Sequence, residues 1–211
     1  MDTKKKTIHA SERDSDRVVK LRRKHQFQFS RIAAERLVFV DESGCNIAMA
    51  RAYAWALEGS RALGHVPKNW GDNVSMMGAI GFDGLRTLTT LDGAVDGEAF
   101  GGFVDRFLAP KLNRGEIVLW DNLGVHRAPI AQKAIERVGA QLVWLPPYSH
   151  DLNPIEECWS KIKSLLRSAA ARTREALELA IARAMAAITA TDAAGWFAHS
   201  GYQAQSVRSP L

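Results

Sequence analysis

Three carboxylates in this chain could do chemistry together: Asp41, Asp121 and Glu156. Asp41 follows the apolar run Leu37-Val38-Phe39-Val40, and Asp121 follows Ile117-Val118-Leu119-Trp120. Glu156 stands with thirty-four residues between it and Asp121, in the segment LPPYSHDLNPIEECWSKIK. Acidic side chains at the ends of two buried strands, with a third on a nearby helix, make an oxygen-rich pocket suited to hard divalent cations. Such a pocket points to phosphoryl transfer on a polyanion. In a chain of net charge +5, nucleic acid is the leading substrate class.

Each carboxylate has a plainer reading. An aspartate after a strand is often a turn former that bonds nearby backbone N–H groups, and Asp83, Asp92 and Asp96 fit that description. Asp41 and Asp121 differ because both follow wholly apolar runs, and ligands in open α/β sheets gather beyond the carboxyl ends of such strands. For Glu156, an N-cap at Asn153 and Pro154 at N1 would make it the N3 member of a capping box. The same helix puts Ile155, Trp159, Ile162 and Leu166 on an apolar stripe and Glu156, Ser160, Lys163 and Arg167 on a polar one. Glu157 sits one step round, with Lys161 at i+4 as its natural partner. Spacing alone leaves Glu156 and Glu157 as alternatives. His126, in DNLGVHRAP, can reach the pocket from a loop or serve as a core histidine. Cys45 and Cys158 read as packing residues, because hard cations prefer oxygen; His150 is given no role.

The elements that must position these groups follow from periodicity and punctuation. Residues 12–36 read as a helix and residues 36–40 as a buried strand. Asp83-Gly84 separates two apolar runs, 73–82 and 85–91, a hairpin signal. Residues 97–109 read as helix despite two internal glycines, and 116–120 as the second buried strand. A helix at 128–138 closes at Gly139, and the strand 142–145 stops at Pro146-Pro147. The Glu156 helix runs to about residue 171, and a last helix at 173–188 puts Leu177, Ile181, Ala184 and Ile188 on one stripe. A hairpin followed by strand–helix–strand–helix units predicts an α/β domain whose mixed sheet is covered on its faces.

Composition narrows the classes. The 211 residues, 46% of them hydrophobic, suffice for one domain of ordinary size with an appendage. No apolar stretch approaches the roughly 18 residues of a membrane span, and the N-terminus lacks the apolar core of a secretory signal. Two cysteines without CxxC spacing fit a reduced, cytoplasmic protein. Residues 1–36 hold 11 Lys+Arg against 5 Asp+Glu, concentrated in Lys4-Lys5-Lys6 and in Lys20 with Arg22-Arg23-Lys24. A basic arm of this kind can neutralise phosphates without reading sequence. Arg22, Arg23 and Lys24 are therefore candidate DNA contacts, with Lys163 on the polar stripe as a fourth.

The segments VFVDESG, IVLWDNLGVH and LPPYSHDLNPIEECWSKIK, with a tail reading RTREALELAIARAMAAIT and then GWFAHSGY, resemble the catalytic domain of bacterial insertion-sequence transposases of the mariner superfamily. The likeness covers nearly all of residues 36–202 and extends to the gap between the second and third acids. It selects Glu156 over Glu157. It implies a ribonuclease-H-like fold: a five-stranded mixed sheet with helices on both faces, plus N- and C-terminal helices. The implied organisation is a basic helical connector at 1–35, the catalytic domain at 36–202 and a tail at 203–211.

The implied activity is Mg²⁺-dependent DNA strand cleavage and strand transfer, with two Mg²⁺ per site and Mn²⁺ able to substitute. Asp41, Asp121 and Glu156 would be both catalytic and metal-binding, with Asn122 and His126 supporting them. Implied partners are element-end and target DNA, further copies of the chain and the product of an upstream reading frame, with no membrane. The implied setting is bacterial cytoplasm, at the nucleoid. Two departures stand out. His150 replaces the family's usual proline. The helix-turn-helix modules of such proteins need about 50 residues each, more than the stretch before the first strand holds. A truncated, non-catalytic remnant that binds DNA or full-length transposase and regulates it is the alternative.

Overall fold

The computed structural model describes residues 10–71 and 73–204. The Lys4-Lys5-Lys6 cluster and most of the 203–211 tail lie outside the described residues. The sheet has five strands in the order β3-β2-β1-β4-β5. They are β1 (Leu37–Cys45), β2 (Val74–Gly81), β3 (Gly84–Asp92), β4 (Ile117–Trp120) and β5 (Gln141–Trp144). β1–β2 and β2–β3 pair antiparallel, while β1–β4 and β4–β5 pair parallel. The sheet is mixed and covered on both faces, as expected.

Pleat parity explains why β1 and β4 are continuously apolar. Leu37, Phe39, Ile117 and Leu119 face one layer, built from α4 (Ile155–Ala169), α5 (Arg174–Ala186), α6 (Ala190–His199) and the end of α1 (Asp16–Phe29). Val38, Val40, Val118 and Trp120 face the other, built from α2 (Gly97–Phe103), its π-helical extension Val104–Leu108, and α3 (Pro129–Arg137). A strand buried on both sides has no polar alternation to show.

One close approach sets the depth of α4. Trp159 lies over Gly78 of β2, where a Cβ would stand 2.7 Å from the indole. Gly78 is also the β2 partner of Asp41, so the missing side chain lets the helix settle beside that acid. Gly78→Ala is expected to destabilise the fold by about 1–3 kcal/mol through overpacking, measured by denaturant unfolding.

Several expectations change. The first helix ends at Phe29, not residue 36, because the chain peels away so that the Ala34 N–H can donate to the Gln203 carbonyl. β1 continues to Cys45 because β2 pairs with it along its whole length after β4 has stopped. The helix α6 was not expected; Thr189 and Asp192 close a capping box at its start. The capping box expected at Asn153 and Glu156 does not form. Helix α4 starts one residue later, Pro154 takes the cap position, and no side chain caps it. Lys161 bonds Asp192 at 2.5 Å rather than Glu157. Residues 46–71, read as no element, form a long connection fastened at its base by Arg172, which donates to the Ile47 and Met49 carbonyls. Tyr53, Trp55, Leu57 and Leu63 on it are exposed. Among the described residues no helix is long and apolar enough to cross a membrane.

Candidate active site

The parallel register does the first half of the assembly. Its last pair is Phe39 with Leu119, and two steps further Asp41 comes level with Asp121. Residues in register on adjacent parallel strands share a face, here the face that carries α4. Glu156 is in the first turn of that helix. All three carboxylates thus line one cleft of about 560 Å³, with Glu42, Asn122, Tyr148 and His150 among its other walls.

Electrostatics distinguishes the three. Asp41 is pushed up to about 7, first by burial, then by the charge of Glu156, with Glu42 and Asp121 adding to it. Burial also raises Asp121, but contact with His126 and the Leu123 N–H outweighs it and holds that carboxyl below its usual value. Glu156 accepts no capping bond; its Oε1 lies 3.1 Å from Nδ1 of His150.

His126 is fully buried between two carboxylates. Its Nε2 lies 2.6 Å from Glu42 Oε2, and its Nδ1 lies 2.6 Å from Asp121 Oδ1. The second contact is close but poorly directed, an ion pair rather than a formed hydrogen bond. Burial alone would lower this imidazole, yet Asp121 and Glu42 raise it to about 9. It is therefore a cation at neutral pH that ties β1 to the loop after β4. Asn122 turns away from the acids and donates to the Leu145 carbonyl at 2.6 Å, joining the ends of β4 and β5.

Sequence reasoning passed over Glu42 and His150. Glu42 follows Asp41 on the opposite pleat, and only the bridge to His126 reveals its place. His150 sits where the resemblance calls for proline, and its contact depends on the turn His150–Leu152 that leads into α4. Both cysteine thiols are buried and raised, Cys45 to about 11 and Cys158 to about 12, so neither is a ready ligand.

The donor set fits hard divalent cations. Burial first, and then the charges of Glu156, Glu42 and Asp121, push Asp41 up to about 7, so its carboxylate form would gain from a cation beside it. Among the described residues no three His, Cys, Asp or Glu side chains already converge around one point; Asp41, Asp121 and Glu156 are the residues of the cleft that would hold such an ion.

The basic helix needs correcting. Arg22 is committed within the fold: its guanidinium donates to both Asp151 oxygens, at 2.9 and 2.6 Å, and to Ser149 Oγ at 2.8 Å. Arg13 reaches Asp151 as well, at 2.9 Å. A planar fork on a carboxylate is the geometry arginine favours, and it gives Arg22 a structural role within the fold. Arg23 and Lys24 remain exposed. Val18, His25 and Phe29 bury α1 against the body. His25 meets the Tyr202 hydroxyl, which donates to the Leu152 carbonyl. The N-terminal helix and the C-terminal segment thus staple the loop before Glu156. Arg22→Ala is expected to cost about 1–3 kcal/mol, and deleting residues 1–24 to cost more, both measured by denaturant unfolding. A basic tail docked only through charge would show no such loss.

No curated protein sequence matches the chain. Among solved structures it resembles the Mos1 transposase paired-end complex with left transposon end at TM-score 0.75 and 16% identity, over 95% of this chain and 64% of that one. The Mos1 mariner paired-end complex with Mn gives 0.74 and 16%, over 95% and 64%. The Mos1 catalytic domain with Raltegravir and Mg gives 0.65 and 15%, over 89% of this chain and 91% of that one. At such identities the likeness establishes the fold, the ribonuclease-H-like transposase fold. The chain spans 64% of the length of the Mos1 chains in the paired-end complexes. The family model described as DDE superfamily endonuclease matches residues 36–178, which include Asp41, Asp121 and Glu156, and the chain belongs to that superfamily.

Proposed function

We propose that this chain is the catalytic domain of a DNA transposase, from a bacterial insertion sequence, that cleaves and then transfers DNA strands using Asp41, Asp121 and Glu156. The observation that carries the reading is that these acids, from the ends of two adjacent strands and the first turn of one helix, line a single cleft. Mg²⁺, or Mn²⁺ in its place and two ions per site, would be held by the three acids and would supply Lewis-acid stabilisation of the charge that develops at the attacked phosphate. Solved relatives that contain Mg or Mn support that choice.

The chain's own residues supply position and charge. The His126 cation lies against one oxygen of Asp121, and Glu42 holds the far side of the ring. Asn122 fixes the loop between them. Lys163 and Arg167, two and three turns along α4 from Glu156, border a second cleft beside Gly44 and Asn46. A strip running from the acids to these cations offers a path for a phosphate backbone. Arg23 and Lys24 add charge on α1.

The DNA-bound Mos1 complex supports DNA as partner. The exposed Tyr53, Trp55, Leu57 and Leu63 support contact with a second copy of the chain, since aromatic residues so exposed are typical of interaction surfaces. The product of an upstream reading frame is proposed as a further partner.

The test is cleavage and strand transfer on DNA carrying the element's terminal repeats, with Mg²⁺ or Mn²⁺, alone and with that product. Cut strands that vanish with EDTA are expected. DNA left intact under every condition would move the assignment to the regulatory remnant.

A further inference from the structure

Tyr148 holds a backbone conformation that a tyrosine rarely takes. Its φ is 55°, and the only other non-glycine residue at positive φ among the described residues is Ala170, which closes α4. A bulky side chain persists in the left-handed region only where its surroundings over-determine it. Here they do. Pro146 and Pro147 precede it, and the buried Ser149 follows, donating to the Pro147 carbonyl and accepting from Arg22. Asp151, gripped by Arg13 and Arg22, fixes the other end.

The strain is not offset by packing, because Tyr148 is 46% exposed. A plain turn would use glycine or asparagine at this φ. Tyr148 instead lines the cleft that Asp41, Asp121 and Glu156 line, and Pro146, Pro147 and the exposed Leu123 are the apolar residues in the same lining. Phosphate belongs with the acids and their cations and gains nothing from this rim. A base does, since every nucleobase has an apolar face that stacks on an aromatic ring whatever its identity.

Resting on the reading given under Proposed function, we propose that Tyr148 is a stacking platform for an unpaired nucleobase at the strand end entering the active site. The α1 clamp on Ser149 and Asp151 holds the loop that carries it, with Tyr148 in the left-handed region. The ligand is a frayed or single-stranded DNA end, bound without sequence preference.

The experiment uses the full chain with Ca²⁺ to screen the acids, and short duplexes carrying 2-aminopurine either in an unpaired overhang or in a blunt, fully paired end. Wild type is expected to quench the overhang probe. Tyr148→Gly should weaken overhang binding by about tenfold, with quenching lost, and leave blunt-duplex binding unchanged. Glycine accepts this φ without strain, so an unaltered melting temperature would separate loss of the ring from collapse of the loop. Tyr148→Phe and Tyr148→Trp should bind within about twofold of wild type.

The proposal fails if Tyr148→Gly binds and quenches like wild type, or if Tyr148→Phe loses as much as glycine does. It also fails if both probes weaken equally, or if the variant alters self-association with quenching intact. Quenching that depends on Tyr148 in a chain that never cuts DNA would keep the platform and overturn the cleavage reading. Cleavage by a wild type that shows no quenching would do the reverse.

Discussion

Asp41→Ala, Asp121→Ala and Glu156→Ala should each lower metal-dependent strand cleavage by about 10³-fold or more, while Glu157→Ala stays within about threefold. The contrast between neighbouring glutamates makes this sharper than a general test of acidity. Both are in the first turn of α4 and both carry a carboxylate. Glu156 lines the cleft with Asp41 and Asp121. Glu157 points a helical step away, 3.4 Å from His199, and does not line that cleft. Removing charge at 156 should therefore abolish phosphoryl transfer, whereas removing it at 157 loosens only a surface contact. Cleavage of labelled DNA in Mn²⁺ reads the difference directly. An active Glu156→Ala chain beside a dead Glu157→Ala chain would mean that the third acid has been misassigned.

His126 and Glu42 enter the same series at a lower level. Neither lies where a phosphate would be attacked, so His126→Gln should reduce turnover less than Asp121→Ala does. Its signature would be weaker metal binding, because the unpinned Asp121 must be ordered by the incoming ion.

How much of this was legible in the sequence depends on the range of the interaction. The apolar runs before Asp41 and Asp121 report burial on both faces of a sheet, a local signal, and the strands lie where those runs are. The stripe Ile155, Trp159, Ile162 and Leu166 likewise announced the helix that carries Glu156, and all four residues are buried. Contacts made across the chain were not legible. The Glu42–His126 bridge spans eighty-four positions and the Arg22–Asp151 clamp one hundred and twenty-nine. Nothing near Arg22 marks it as a cation that pairs within the fold. The failed capping box at Asn153 is instructive for the same reason. The pattern was correct for an isolated helix, but a turn stapled by α1 and Tyr202 starts α4 one residue late and frees Glu156 for the cleft.

The second large effect concerns stability without metal: Asp41→Asn should stabilise the metal-free chain while abolishing its activity. Asp41 rises from 3.8 to about 7 on folding. A carboxyl raised in the folded state stabilises the fold while protonated, and that contribution is lost as pH climbs from about 4 through about 7. A shift of that size corresponds to about 4 kcal/mol at most. Relaxation and counter-ions reduce it, so Asp41→Asn should gain about 1–3 kcal/mol at pH 8 and clearly less at pH 5. His126 acts in the same direction at higher pH. Its folded value of about 9 exceeds the ordinary 6.5, so its contribution is complete below about pH 6.5 and disappears through pH 9. His25 acts oppositely, because burial and Arg22 lower it to about 4, and its contribution is lost as pH falls from about 6.5 to 4. Denaturant unfolding in EDTA should therefore show wild-type stability declining from pH 7 to 9. Adding Mn²⁺ should raise the stability of wild type and leave Asp41→Asn nearly unmoved, because the ion binds the folded carboxylates and not the amide. An Asp41→Asn chain no more stable than wild type at pH 8 would mean that neither burial nor the neighbouring carboxylates penalise the Asp41 charge. The electrostatic case for a divalent cation in this cleft would then fall with it.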